Sequence, residues 1–132
     1  MWLIDGNNVY GSRPDGWWNN RTRAASRLTE AVARWCVTHD GDVVLVFDPP
    51  VASETMILAG GNLEVVEAPR RGRDAADDEL VRRAELALST EPELEGEQLV
   101  VRVVTSDKGL KRRLDPRVQT ASVGEFRRLV DY

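Results

Sequence analysis

The chain has 132 residues, of which 42% are hydrophobic, enough for a single domain with both faces of a sheet covered and no second domain required. Eighteen Lys and Arg against 22 Asp and Glu give a net charge of −4, which argues against a protein that holds nucleic acid by bulk attraction alone. No apolar run approaches the roughly 20 residues that span a bilayer, and the amino terminus lacks the basic and apolar regions of a secretory signal, so a soluble cytoplasmic protein with no membrane partner is expected.

The first apolar run is WLID at 2–5, which leads directly into Gly6, Asn7 and Asn8. A carboxylate at the end of a buried strand loses hydration, so Asp5 needs a donor, a cation or an exit to solvent. Gly6 would allow a tight exit, and Asn8 is read as a turn residue. GWWNNRTR at 16–23 follows, and then Ala24, Leu28, Ala31, Val32, Trp35 and Cys36 recur at helical spacing. Cys36 is the sole cysteine and falls on that stripe, which makes it a packed thiol; with one histidine in the chain, His39, disulfide frameworks and multi-histidine zinc sites are excluded. His39 is read as a polar turn residue past the helix.

A second strand is expected at VVLVF, 43–47, a short helix in ETMILAGG, 54–61, ending at its glycines, and a third strand at LEVVEA, 63–68. Ala76, Leu80, Ala84, Ala87 and Leu88 outline another helix, and STEPELEGEQ at 89–98 reads as a polar loop. LVVRVVT at 99–105 and, more weakly, VQTAS at 118–122 give the last strands, with a helix through KGLKRRL between them. A final helix from about Ser122 or Val123 should bury Phe126, Leu129 and Val130. Strands alternating with helices imply a mainly parallel sheet covered on both faces, a three-layer αβα, Rossmann-like architecture.

The position of the acids is more informative than their number. Asp5, Asp48 and Asp107 each follow an apolar run, and in an open parallel sheet the carboxyl ends of strands share one rim. Asp74, Asp77 and Asp78 in RGRDAADDEL open the second long helix and would join the rim if that helix end faces it. Clustered carboxylates repel one another unless a cation intervenes, and hard oxygen donors suit Mg²⁺ or Mn²⁺. Metal-assisted phosphodiester hydrolysis is the chemistry such a set supports, with no histidine or cysteine nucleophile. Asn7 would bind phosphate or orient Asp5, and the hydroxyl of Thr105 or Ser106 would support Asp107. Each acid also has a structural reading: Asp74 with Asp77, and Asp107 with the helix that follows it, fit helix starts, and Asp48 before two prolines fits a turn.

Taken in order, IDGNNV, VVLVFD, DAADDEL and VVTSD resemble the PIN-like nucleases, specifically the NYN branch that includes YacP-like proteins. The resemblance spans nearly the whole chain and implies one PIN-like domain over residues 1–132, a metal-dependent acidic site for Mg²⁺ or Mn²⁺, and ribonuclease activity, endonucleolytic before exonucleolytic. Carried over by motif, Asp5, Asp77 and Asp107 match the catalytic acids, with Asp78 a further metal ligand and an alternative alignment to Asp77. Asn7 and Ser106 match the supporting amide and hydroxyl, and Asp48 the second-strand acid. Pro49 and Pro50 depart from the small residue usual after that acid and restrict the backbone there, so a direct metal role does not follow for Asp48.

A polyanion must be drawn to an acidic centre, so flanking cations count. Arg70, Arg71 and Arg73 precede the acidic helix, and Lys108, Lys111, Arg112 and Arg113 follow Asp107; a phosphate track competes here with a solvated helix face. Trp17 and Trp18 stand beside Arg21 and Arg23, suited to base stacking with phosphate contact or to a helix-start staple. Trp18 and Arg21 join Arg70, Arg71, Arg73 and Lys108 as the substrate-binding candidates. The alternatives to an RNA-cleaving enzyme are an RNA-binding or assembly module of the same fold without turnover, and a phosphatase or nucleotide-binding protein, which the absence of GxGxxG and GxxxxGKS/T weakens. RNA is the expected partner, with a homodimer or a targeting protein as the means of choosing it.

Overall fold

A computed structural model of the protein describes residues 1–69, 72, 74–89 and 99–132. Five strands form the sheet: β1 (Trp2–Asp5), β2 (Val43–Phe47), β3 (Leu63–Glu67), β4 (Arg102–Val104) and β5 (Gln119–Ala121). Their order is β3-β2-β1-β4-β5, and every pairing is parallel rather than mainly so. The chain runs outward from β1 to β3 and then returns to the other side of β1, so the topological switch lies between β1 and β4.

Side-chain alternation along the strands divides the core into two layers. Ile4, Val43, Leu45, Phe47, Leu63, Val65 and Val104 face α1 (Gly6–Gly11), α2 (Arg21–Cys36) and α6 (Val123–Val130). Leu3, Val44, Val46 and Val103 face α4 (Ala75–Ser89) and α5 (Lys108–Arg113). A short helix, α3 (Ser53–Met56), leads towards β3. The arrangement is the αβα sandwich expected from the alternation of strand and helix patterns. No described helix is long and apolar enough to cross a membrane.

Several boundaries differ from expectation for local reasons. Helix α3 stops at Met56, and bonds from Leu58 and Ala59 back three residues carry a tighter turn towards Gly60 and Gly61. Strand β4 pairs over three residues with each neighbour, Arg102–Val104 lying against Trp2–Ile4 and against Gln119–Ala121. Leu129 is 48% exposed rather than buried, since the stripe of α6 is Val123, Phe126 and Val130, and Leu129 lies about 90° around the helix from its centre. Cys36 is packed as expected. His39 is more than a turn residue, because its ring stacks on Trp35 with centroids 4.1 Å apart. The polar loop expected at 89–98 lies outside the described residues from position 90.

Gly6 makes the tight exit expected of it by opening α1 directly from the end of β1. Its hydrogen side chain is required by proximity: a Cβ there would stand 2.6 Å from Phe47 Cδ1 and 2.9 Å from the Val46 carbonyl oxygen. Strand β1 therefore passes into helix at the closest approach to β2.

Candidate active site

Parallel register sets the neighbours of Asp5. It pairs with Val46 on one side, and on the other Ile4 pairs with Val104, which brings Thr105 alongside Asp5. Asp5 is 5% exposed and Thr105 is wholly buried. Thr105 Oγ1 donates to Asp5 Oδ2 at 3.0 Å and accepts from the Asp107 N–H at 3.1 Å. One hydroxyl thus joins the first acid to the loop carrying the last.

The two asparagines after Asp5 take opposite sides. Asn7 Oδ1 accepts from the Asp48 N–H at 2.8 Å, and its amide donates to the Tyr10 hydroxyl at 2.8 Å. Asn8 Oδ1 accepts from the Ser106 N–H at 2.8 Å. Helix α1 therefore ties the end of β2 with one residue and the end of β4 with the next. This differs from the expected roles: the bonds of Asn7 go to Asp48 and Tyr10 and none to Asp5, and Asn8 braces the β4 loop instead of serving a turn. Nothing in the sequence announces the role of Asn8, because it depends on which strands flank β1.

Asp48 Oδ1 accepts from the Ala76 N–H at 3.1 Å, which anchors the first turn of α4 to the end of β2. That bond brings the acids of α4 to the rim, as the sequence reading required. Asp77 is half-buried there, whereas Asp78 is exposed and accepts from Arg113 Nη2 at 2.6 Å. The adjacent acids are therefore separated by environment: Asp77 is half-buried and feels the charges of Asp107, Asp74 and Asp48, whereas Asp78 is paired with a cation of α5.

Burial raises the Asp5 carboxyl from the usual 3.8 to about 7; Thr105 and the nearby Asn8 N–H pull it down, while Asp77 and Asp48 push it up. Asp77 is raised to about 6, first by burial, then by Asp107 and Asp74, with Arg113 opposing and Asp48 adding to the rise. Asp5, Asp48, Asp77 and Asp107 thus form one electrostatically coupled group drawn from four separate segments. Among the described residues no three acids stand close enough to enclose a single ion. Asp107 is exposed, and its Oδ1 accepts from the Leu110 N–H at 3.0 Å, so it also caps α5.

Ser106 does not support Asp107 directly. Its Oγ accepts from the Val123 N–H at 3.2 Å, at the start of α6, and Thr105 is the hydroxyl at the acids. Lys108 is exposed directly after Asp107. Arg113 belongs to Asp78, as described above. Arg70, Arg71 and Arg73 lie outside the described residues. Trp17 packs against Tyr10 with centroids 5.6 Å apart, and the Arg21 guanidinium stands 5.6 Å from the Trp17 ring. Trp18 is 59% exposed, edge-on to Trp17. Asn20 caps α2, accepting from the Arg23 N–H at 3.0 Å.

No family model and no curated protein matches the sequence. The fold is similar to that of Rae1 (YacP) from Bacillus subtilis in its crystal structure, with a TM-score of 0.66 and 22% identity over 99% of this chain and 73% of that one. A mutant form of the same protein gives a TM-score of 0.66 and 20% identity over 98% of this chain and 74% of that one. At these identities the likeness is one of fold, and it falls on the YacP-like architecture to which the four motifs pointed.

Proposed function

We propose that the protein is a divalent-metal-dependent ribonuclease that hydrolyses phosphodiester bonds of unpaired RNA by endonucleolytic cleavage at the Asp5 rim. What supports this reading is that burial and neighbouring carboxylates raise Asp5, at the end of β1, to about 7 and Asp77, in the first turn of α4, to about 6, while Thr105 ties Asp5 to the loop bearing Asp107. Carboxylates raised in this way are stabilised in their charged form by a nearby cation. The donors are hard oxygens, as Mg²⁺ or Mn²⁺ requires, and Mg²⁺ is commonly held by one or two carboxylates together with water and substrate phosphate. Asp5, Asp77 and Asp107 would hold it, with Asp78 able to join if Arg113 releases it. When bound, the cation neutralises the carboxylates and the developing phosphate charge and acidifies the attacking water.

The chain's own part is to fix geometry. Thr105 orients Asp5, Asn8 and Thr105 together fix the loop bearing Asp107, and Asp48 holds the helix start bearing Asp77. Lys108, beside Asp107, is the described cation at the rim best suited to a neighbouring phosphate. Labelled single-stranded RNA incubated with Mg²⁺ or Mn²⁺ should be cleaved by the wild type and not by Asp5→Asn or Asp107→Asn. Equal cleavage by all three proteins would mean a contaminant and end the assignment. A second reading, an RNA-binding module without turnover, is favoured by Asp107 serving as the α5 cap; retained binding with no cleavage in either metal would select it.

A further inference from the structure

A cavity of about 240 Å³ opens beside the acid rim, between the start of α2 and the segment after β2. Its apolar wall includes Tyr10, Phe47 and Val51, and its polar end is formed by Asn7, Asp48 and Arg21. The two aromatic rings are buried and packed on each other with centroids 6.3 Å apart, so the wall is preformed. Ligand pockets for drug-sized molecules run from about 300 to 1,000 Å³, so this one suits a single planar heterocycle rather than a larger group.

The polar end also has a definite hydrogen-bonding character. Asn7 is committed on both sides, to the Asp48 N–H and to the Tyr10 hydroxyl. Asp48 uses Oδ1 for Ala76, and among the described residues no hydrogen bond is made to Oδ2. Arg21 enters no ion pair among the described residues and sits at the cavity beside the Trp17 ring. An apolar slot lined by a carboxylate and a guanidinium matches a base with an exocyclic amine, followed by its phosphate.

We infer that this cavity is a recognition subsite for one unpaired nucleotide of the RNA, which takes a base bearing an amine and contacts its phosphate through Arg21. The inference rests on the ribonuclease reading and adds a specificity to it. The cavity shares Asp48 and Asn7 with the framework of the rim, so a strand lying across the acids has its neighbouring base within reach of the slot. Cytosine offers an amine to Asp48 where uracil presents a carbonyl, so the two pyrimidines, equal in size, isolate the hydrogen bond.

The test measures binding of fluorescein-labelled oligo(C) and oligo(U) twelve-mers by anisotropy in EDTA, with cleavage followed separately in Mn²⁺. The wild type is expected to bind oligo(C) about tenfold more tightly. Ala25→Met, which fills the cavity from α2, should remove that preference, and Asp48→Asn, which replaces the acceptor with an amide, should shrink or reverse it. Arg21→Ala, on an exposed site, should weaken both oligomers alike and lower the salt dependence of log Kd by about 0.7. A trinucleotide should compete better than the free monophosphate of the same base, and the reverse would overturn the assignment to an RNA chain. If the wild type cleaves RNA while all three variants bind both oligomers as it does, the subsite is refuted and the ribonuclease reading stands. If the wild type neither binds nor cleaves RNA, both are refuted.

Discussion

Replacing Asp5 by Asn should remove a large pH dependence of stability along with activity. Asp5 is almost wholly buried and is raised from 3.8 to about 7, so in the metal-free protein the folded state binds its proton more tightly than the unfolded state. The sign follows: between about pH 4 and 7 the folded state carries the extra proton, and stability falls as pH rises through that window. At about 1.36 kcal/mol per pH unit the full effect is about 4 kcal/mol, of which about 2–4 kcal/mol should be seen because Asp77 shares the repulsion. An amide at this position cannot ionise. Urea unfolding of the wild type and Asp5→Asn in EDTA at pH 4 and pH 8 gives a double difference in which any fixed cost of the amide, and every titrating group not coupled to Asp5, cancels. The wild type should lose stability across this range relative to the variant, and Mg²⁺ at pH 8 should restore it in the wild type alone. A variant with the same slope as the wild type would refute the view of Asp5 as a charge whose burial is uncompensated without metal.

Thr105→Val leaves Asp5 without its hydroxyl donor and the Asp107 N–H without its acceptor; a loss of about 1–3 kcal/mol in urea unfolding and a fall in cleavage are expected, with Thr105→Ser retaining most of both. Asp77→Asn should abolish cleavage, whereas Asp78→Asn removes an exposed ion pair with Arg113 and should change stability by less than about 1 kcal/mol while leaving activity within a few-fold; similar losses in the two would contradict their separation by environment. Gly6→Ala drives a methyl group into Phe47 and the Val46 carbonyl, and a loss of about 1–3 kcal/mol by thermal or urea unfolding is expected, with a neutral result showing that β1 and β2 can part.

How far the site could be read from the sequence varies residue by residue. Asp5 and Asp48 stand directly after apolar runs, and a parallel sheet sends every such end to one rim, so their shared edge follows from pattern alone. The rank of Asp77 over Asp78 does not follow, because adjacent residues on a helix differ by about 100° in direction and only the neighbouring α5 decides which of them meets Arg113. Thr105 and Ser106 are equally polar in sequence; strand alternation buries the first against Asp5 and turns the second to the start of α6.

Local chemistry therefore determined the elements: branched apolar runs became strands, helical spacing became α2 and α4, and Asn20 and Ser122 capped helices through their own side chains. These are short-range preferences, carried by residues a few positions apart. The tertiary structure alone decided which strands flank β1, and from that came the division of labour between Asn7 and Asn8, the bond from Asp48 to α4, and the cavity beside the rim. Those contacts join residues 28 to 98 positions apart, and their partners are set by strand order and register, which no local pattern encodes.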